Sequence, residues 1–110
     1  MAWLLREGEV LAALEIAASR KSRRKGLVGR DGIDGAMLLP SARMGVHTIG
    51  MRFELDVAFC DQDMVVRRVA CMKPLRMSRP SFRAPRVIEA QGGAFDRWHL
   101  KVGDQLEIKE

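Results

Sequence analysis

The chain has no tyrosine, and only 5% of its 110 residues are aromatic. Proteins that bind single-stranded nucleic acid without sequence preference commonly stack the bases on exposed aromatic rings. Only Phe82 lies within a strongly basic stretch. The composition therefore gives little support to a base-stacking platform.

Cysteine and histidine are scarce, with two of each. If Gln62 and Asp63 form a hairpin turn, Cys60 lies opposite Val65 and Cys71 opposite Glu54, which separates the sulfurs by about six residues or roughly 20 Å. A disulfide cannot span that distance, so we expect two buried, reduced thiols. No Cys-x-x-Cys or His-x-x-x-His spacing occurs, and we predict no metal site and no cofactor.

No hydrophobic run approaches the ~20 residues that cross a bilayer, so we predict no transmembrane segment. The apolar stretch 10–18 is interrupted by Glu15 and preceded by Glu7 and Glu9, whereas a signal peptide begins with positive charge. With no export signal, a cytoplasmic location is expected.

The length and the hydrophobic content of 47% predict one domain, residues 1–110, with a real core. Its most β-like stretch is 46–60. Phe53, Leu55, Val57 and Phe59 alternate there with polar or small residues, the pattern of a half-buried strand. Residues 61–63 supply a turn and 64–71 a returning strand, so we predict a β-hairpin.

The same stretch carries a family resemblance. His47-Thr48, Met51-Arg52-Phe53 and the segment Leu55-Asp56-Val57-Ala58-Phe59 resemble the family called domain of unknown function 192 (DUF192). Further landmarks follow the family order: Gly26-Leu27 with Arg30, Gly35-Ala36-Met37-Leu38, Val87-Ile88-Glu89 and Gly103-Asp104. The resemblance covers roughly residues 10–108 and implies a small β-rich fold, barrel-like or sandwich-like, with no known reaction.

Two positions depart from the family pattern. Glu54 stands where the family often has proline, and Met64 where its hairpin usually has glycine. Residues 10–17 are good helix formers, yet they also alternate and the family has a strand there, so we predict a strand. A short helix from Ser19 or Ser22 to Val28 is expected next.

The rest of the chain predicts strands at 36–39, 86–91 and 105–109 and a short helix at 94–100. The fold class is mainly β (α+β), a compact antiparallel sandwich or barrel-like domain of six to seven strands with two short helices.

Asp56 is the most informative polar residue, because a carboxylate in a central strand is costly to bury without partners. It is either an anchor that accepts backbone or arginine hydrogen bonds, with Arg52, Arg67 or Arg68 as donors, or a polar hook or general base in a pocket. With His47, Thr48, Arg52 and Glu89 it forms our set of candidate ligand-binding residues.

Positive charge is concentrated in two blocks without acidic residues, 20–30 and 73–86, and the net charge is +5. The candidate basic-surface residues are Arg23, Arg24, Arg76, Arg79 and Arg83. Residues 73–85 form a long proline-bearing loop, the best candidate for a lid or binding loop.

Three functions remain open, and catalytic residues are not identified by any motif. We favour a small binding or accessory module whose partner is a small molecule or a peptide. The alternatives are a small enzyme with an acid/base site at His47 and Asp56, together with Glu89, and a nucleic-acid binder that uses both basic blocks, which is not favoured.

Overall fold

The computed structural model describes residues 2–17, 27 and 29–110. Seven strands and a short helix occur there: β1 (Ala2–Arg6), β2 (Glu9–Ile16), β3 (Ala36–Leu39), β4 (Leu55–Cys60), β5 (Val66–Met72), β6 (Arg86–Gln91), α1 (Ala94–Trp98) and β7 (Leu106–Lys109). The mainly β class and the strand at β2 are confirmed. Apart from Leu27, the helix predicted to end at Val28 lies outside the described residues. Within the described part of the chain, no helix has the length and apolar character needed to span a bilayer.

The seven strands form a single sheet in the order β5-β4-β6-β3-β2-β1-β7. All neighbours are antiparallel except β2 and β3, which run parallel. The sheet curls strongly into a half-barrel. The prediction of a wholly antiparallel fold is therefore wrong, because the long 17–35 connection allows the crossover that a parallel pair needs.

The hairpin between β4 and β5 is present, with a different register from the predicted one. Cys60 pairs with Val66 and Cys71 with Asp56, and the ladder shifts next to Cys60. An Asp61 carboxylate oxygen accepts hydrogen bonds from the N–H groups of Asp63 and Val65, at 2.9 and 3.0 Å. This turn also places Met64 at φ 63°, a left-handed conformation that favours glycine.

The two edge strands, β5 and β7, meet at one end, which we call the closing seam (residues 64–66 and 103–106). Val65 and Gln105 form a β-bridge there. The Val66 N–H donates to the Asp104 carbonyl, and the Leu106 N–H donates to the Met64 carbonyl, both at 2.9 Å. Beyond the seam β5 pairs only with β4 in the described chain, so the barrel is left incomplete.

Two hydrophobic clusters lie on opposite faces of the sheet. The barrel core takes residues from all seven strands and therefore fills the concave side: Ala2, Leu4, Leu14, Ala36, Leu38, Ala58, Cys60, Met64, Val66, Ile88, Ala90, Ala94, Phe95 and Leu106. The outer core joins the other face to connecting segments: Ala17, Leu27, Ile33, Met37, Leu39, Ala42, Val46, Met51, Phe53, Leu55, Val57, Phe59, Met72, Ala84 and Val87.

Strand β4 runs between these clusters, and all of its residues are buried. The prediction of a half-buried strand is wrong because segments 40–53 and 73–85 cover the face that would otherwise meet water. A strand buried on both faces can carry a polar side chain only where that side chain finds hydrogen-bond partners.

Candidate ligand-binding groove

Asp56 is a buried hydrogen-bond acceptor for the start of α1. One carboxylate oxygen accepts the N–H groups of Gly93 and Phe95, each at 3.0 Å. Gly93 is the N-cap residue and has no side chain to cap the helix, with φ at 97°. Asp56 therefore satisfies backbone donors that a serine or aspartate at the N-cap would ordinarily satisfy.

The arginines expected beside Asp56 have other partners, so that part of the prediction is wrong. Arg52 is largely exposed and lies 3.7 Å from Asp31. Arg67 forms an ion pair with Asp61 at 2.8 Å. Arg68 lies elsewhere, in the groove described below.

Glu89 and Asp56 lie on opposite faces of the sheet. Glu89 is fully buried and pairs with Val57 and Met37, both members of the outer core. Asp56 pairs with Ala90, a member of the barrel core. Because side chains alternate across a strand, the two carboxylates point to different sides. The structure does not bring Asp56, His47 and Glu89 into one cleft.

Thr48 and His47 hold the segment 73–79, which we call the wall segment. The fully buried Thr48 hydroxyl donates to the Lys73 carbonyl at 2.6 Å and accepts the Arg76 N–H at 2.9 Å. His47 forms a β-bridge with Met77, and its Nδ1 accepts the Ile49 N–H at 3.3 Å. These contacts hold the first part of the 73–85 loop, which the sequence predicted to be a lid or binding loop.

An open groove of about 580 Å³ separates the wall segment from β5. This volume is typical of small-ligand sites. Its lining comes from Phe59 of β4, from residues 68–72 of β5 and from residues 73 and 76–79 of the wall segment. Its four cationic side chains are Arg68, Lys73, Arg76 and Arg79.

Arg68 is held firmly within this groove. Its guanidinium lies 4.0 Å from the centre of the Phe59 ring, a cation–π contact, and Nη2 donates to the Arg79 carbonyl at 3.3 Å. Burial lowers the pKa of Arg68, and the charge of Arg79 lowers it further. The guanidinium nevertheless stays charged at neutral pH.

None of the four groove cations has an acidic partner within the described residues, where the ion pairs involve Arg6, Arg52, Arg67 and Lys101. Like charges gathered in a concave surface raise the local concentration of anions. The groove therefore has the electrostatic character of an anion-binding site.

Both cysteines are free, and the prediction that both are buried is wrong for Cys71, which is exposed at the groove. Its thiol lies 3.7 Å from a carboxylate oxygen of Glu54. Burial, together with Asp56 and Glu54, raises the pKa of Cys71 to about 11. Burial raises that of Cys60 to about 12. Neither sulfur is therefore an activated nucleophile at neutral pH.

Sequence reasoning found only part of the groove. Arg76 and Arg79 line it, whereas Arg83 is exposed outside it, and Arg23 and Arg24 lie outside the described residues. Arg68 was missed as a site residue. The sequence did contain a signal that could have separated the two arginines of β5. Consecutive residues of a strand point to opposite faces, so Arg67 and Arg68 have different surroundings.

Fold and groove together define a small β half-barrel with a basic cleft beside one edge strand. The chain belongs to the DUF192 family, described as an uncharacterized ACR, whose family model matches residues 3–108. The family resemblance drawn from the motifs is thus confirmed. A comparison with curated proteins gives no match.

Two solved structures share the fold. A protein of unknown function from Novosphingobium aromaticivorans has a TM-score of 0.77 and 22% identity, with 96% of this chain and 82% of that chain covered. A putative transcription regulator from Sinorhizobium meliloti has a TM-score of 0.76 and 21% identity, with 96% and 90% covered. At this identity the likeness concerns the fold alone.

Proposed function

We propose that the protein is a binding module that holds an anionic ligand in the groove between β5 and the wall segment. One observation carries this proposal: Arg68, Lys73, Arg76 and Arg79 line a single concave surface, and in the described chain none of them forms an ion pair with a carboxylate. An incoming anion would supply the missing charge.

Binding is better supported than catalysis because the polar groups near the groove are already engaged. The Asp56 carboxylate accepts two backbone N–H groups, and the Thr48 hydroxyl bonds to the wall segment. Cys71 is held in its protonated form. None of these groups is poised to accept a proton from a substrate or to attack it.

The test is a titration of the 15N-labelled protein with inorganic tripolyphosphate, followed by backbone amide shifts. We expect the largest shifts in β5 and the wall segment, with binding that weakens as salt is added. In Arg68→Gln, affinity should fall by about tenfold, the effect of losing roughly one charge-assisted hydrogen bond.

Arg67→Gln is the matched control. Arg67 is the next residue along β5 but is paired with Asp61 and is not part of the groove lining. Its replacement removes the same charge from the whole molecule and should leave tripolyphosphate affinity unchanged. Equal losses in the two variants would mean that overall charge, rather than the groove, attracts the anion.

Nucleic acid is the second candidate ligand. Phe82 is 63% exposed between Arg79 and Arg83, and one structural relative is described as a putative transcription regulator. Stacking on Phe82 would add to phosphate contacts. A single-stranded oligonucleotide that shifts the Phe82 amide, and loses affinity in Phe82→Ala, would favour this alternative.

A further inference from the structure

The outer side of β5 is an open sheet edge. From Arg67 to Met72 its backbone pairs with β4 on one side, and the described residues provide no backbone partner on the other. In an antiparallel edge strand, every second residue directs its N–H and C=O away from the sheet. These groups are available to another strand.

The basic groove runs along this edge. Arg68 and Ala70 line it from one face of β5, and Val69 and Cys71 line it from the other. Neighbouring residues of a strand point to opposite faces, so a cavity that contacts both sets reaches the open edge of β5, and Phe59 of β4 lines it over the face that carries Arg68. A ligand in the groove would therefore meet the free backbone groups.

The opposite wall is extended locally, around Met77. Met77 bridges to His47, and the Ser78 N–H donates to the Val46 carbonyl at 2.8 Å. Arg76 and Arg79 flank this stretch, and Met77 is 76% exposed. The groove thus offers hydrogen-bonding backbone on one side, and positive charge with an apolar side chain on the other.

The groove cations extend farther than one small anion can reach, although Arg68 and Arg79 lie close together. Arg68 lies near one end of the open edge and Lys73 just beyond the other, five residues apart, which at the usual strand rise is roughly 16 Å. A single phosphate cannot contact both. An extended chain with several carboxylates can.

We infer that the groove accepts an extended acidic peptide segment of a partner protein, which adds to the edge of β5 as a further strand. This inference rests on the proposed function, since it names the class of anion. Main-chain hydrogen bonds to β5 hold the peptide, and its acidic side chains meet the groove cations. Nucleic acid fits this groove less well, because bases need an exposed aromatic ring on which to stack. The aromatic residue of the groove, Phe59, is fully buried beneath Arg68.

The experiment uses an acetylated, amidated peptide of alternating glutamate and valine, about six residues long like an ordinary strand. We expect its amide shift changes to follow β5 and the wall segment. The outward-facing amides of β5 should exchange more slowly with solvent. The Arg68→Gln protein should bind the peptide at least tenfold more weakly, and the Arg67→Gln protein should bind it like wild type. A peptide with glutamine in place of each glutamate should not bind.

Two N-methylated peptides test strand addition itself. One carries methyl groups on its odd-numbered amides and the other on its even-numbered amides. An added edge strand donates only every second N–H to its neighbour. One methylated peptide should therefore bind like the parent and the other should lose at least tenfold in affinity.

The outcomes separate the two proposals. If tripolyphosphate binds in the groove and the peptide does not, strand addition is overturned and the anion-binding function stands. If neither binds, both fail. Equal behaviour of the two methylated peptides, or an oligonucleotide that binds the groove more tightly than the peptide, also overturns the inference.

Discussion

At the scale of single residues, Asp56 shows how a carboxylate is accommodated in a fully buried strand. Its two backbone N–H donors come from the start of α1, where Gly93 cannot cap the helix itself. Burial of a polar group is tolerated when its hydrogen bonds are made. Asp56 thus links β4 to α1 across the barrel core.

We expect Asp56→Ala to lower the free energy of unfolding by about 1–3 kcal/mol, because the buried Phe95 N–H and the partly buried Gly93 N–H lose their acceptor. In a domain of this size each kcal/mol corresponds to roughly 4–8 °C in melting temperature. Asp56→Asn keeps one acceptor oxygen and should lose less. Denaturant unfolding of the purified variants measures both.

Asp63→Asn is the control for these variants, since Asp63 lies exposed in the β4–β5 turn. It should stay within about 0.5 kcal/mol of wild type. A melting temperature of Asp56→Ala equal to that of wild type would contradict the anchoring role.

At the scale of elements, the wall segment keeps its place beside β5 without belonging to the sheet ladder. Thr48 bonds to it at both Lys73 and Arg76, and Arg68 reaches across to the Arg79 carbonyl. A loop of this length would ordinarily be mobile. Here a single buried hydroxyl orients two of the four groove cations.

We therefore expect Thr48→Val, which has nearly the same shape, to destabilise the protein by about 1 kcal/mol, because the partly buried Arg76 N–H loses its acceptor and the Lys73 carbonyl its donor. The Arg76 amide should exchange faster, and tripolyphosphate affinity should fall. Thr48→Ser keeps the hydroxyl and should preserve both properties. Normal Arg76 exchange in Thr48→Val would show that other contacts hold the wall segment.

At the scale of the whole molecule, the closing seam joins the two ends of the curled sheet. Asp104 contributes its carbonyl to Val66, and its side chain lies 3.0 Å from both Arg6 Nη1 and Lys101 Nζ. Burial acts to raise the pKa of Asp104, but hydrogen bonds from Lys101 and Arg6 outweigh it and the pKa is lowered.

A carboxylate whose pKa is lower in the folded state stabilises the fold above its unfolded pKa, and this contribution is lost as pH falls through the folded pKa. We expect Asp104→Asn to be less stable than wild type at pH 7. The difference should shrink below about pH 4, where an unfolded aspartate is protonated. Urea unfolding across this range measures it.

Asp31→Asn is a suitable comparison for this series, because Asp31 is 91% exposed and faces Arg52 at 3.7 Å. Exposed pairs of this kind contribute little, so its stability should match wild type at every pH. A difference between Asp104→Asn and wild type that stays constant down to pH 3 would exclude Asp104 as the titrating group.

Local sequence pattern determined much of this protein. Turn residues and alternation predicted the β4–β5 hairpin and β6, because strand formation and turn chemistry depend on near neighbours. For β2 the family resemblance was needed as well, since its residues are also good helix formers. The motifs from His47 to Phe59 also carried the family. The hairpin register was missed, since the ladder shift lies beside Cys60 and the left-handed residue is Met64, and both residues pack in the barrel core.

Tertiary structure alone decided the topology and the site. The parallel pairing of β2 with β3 and the closing seam each join segments that are far apart in sequence, and no local pattern encodes these contacts. The same holds for Asp56, whose hydrogen-bond partners are about forty residues away in sequence. It also holds for Arg68, which lines a groove only because the wall segment folds beside β5. Sequence determined which residues are basic or apolar, and long-range packing determined which of them are buried and which of them meet.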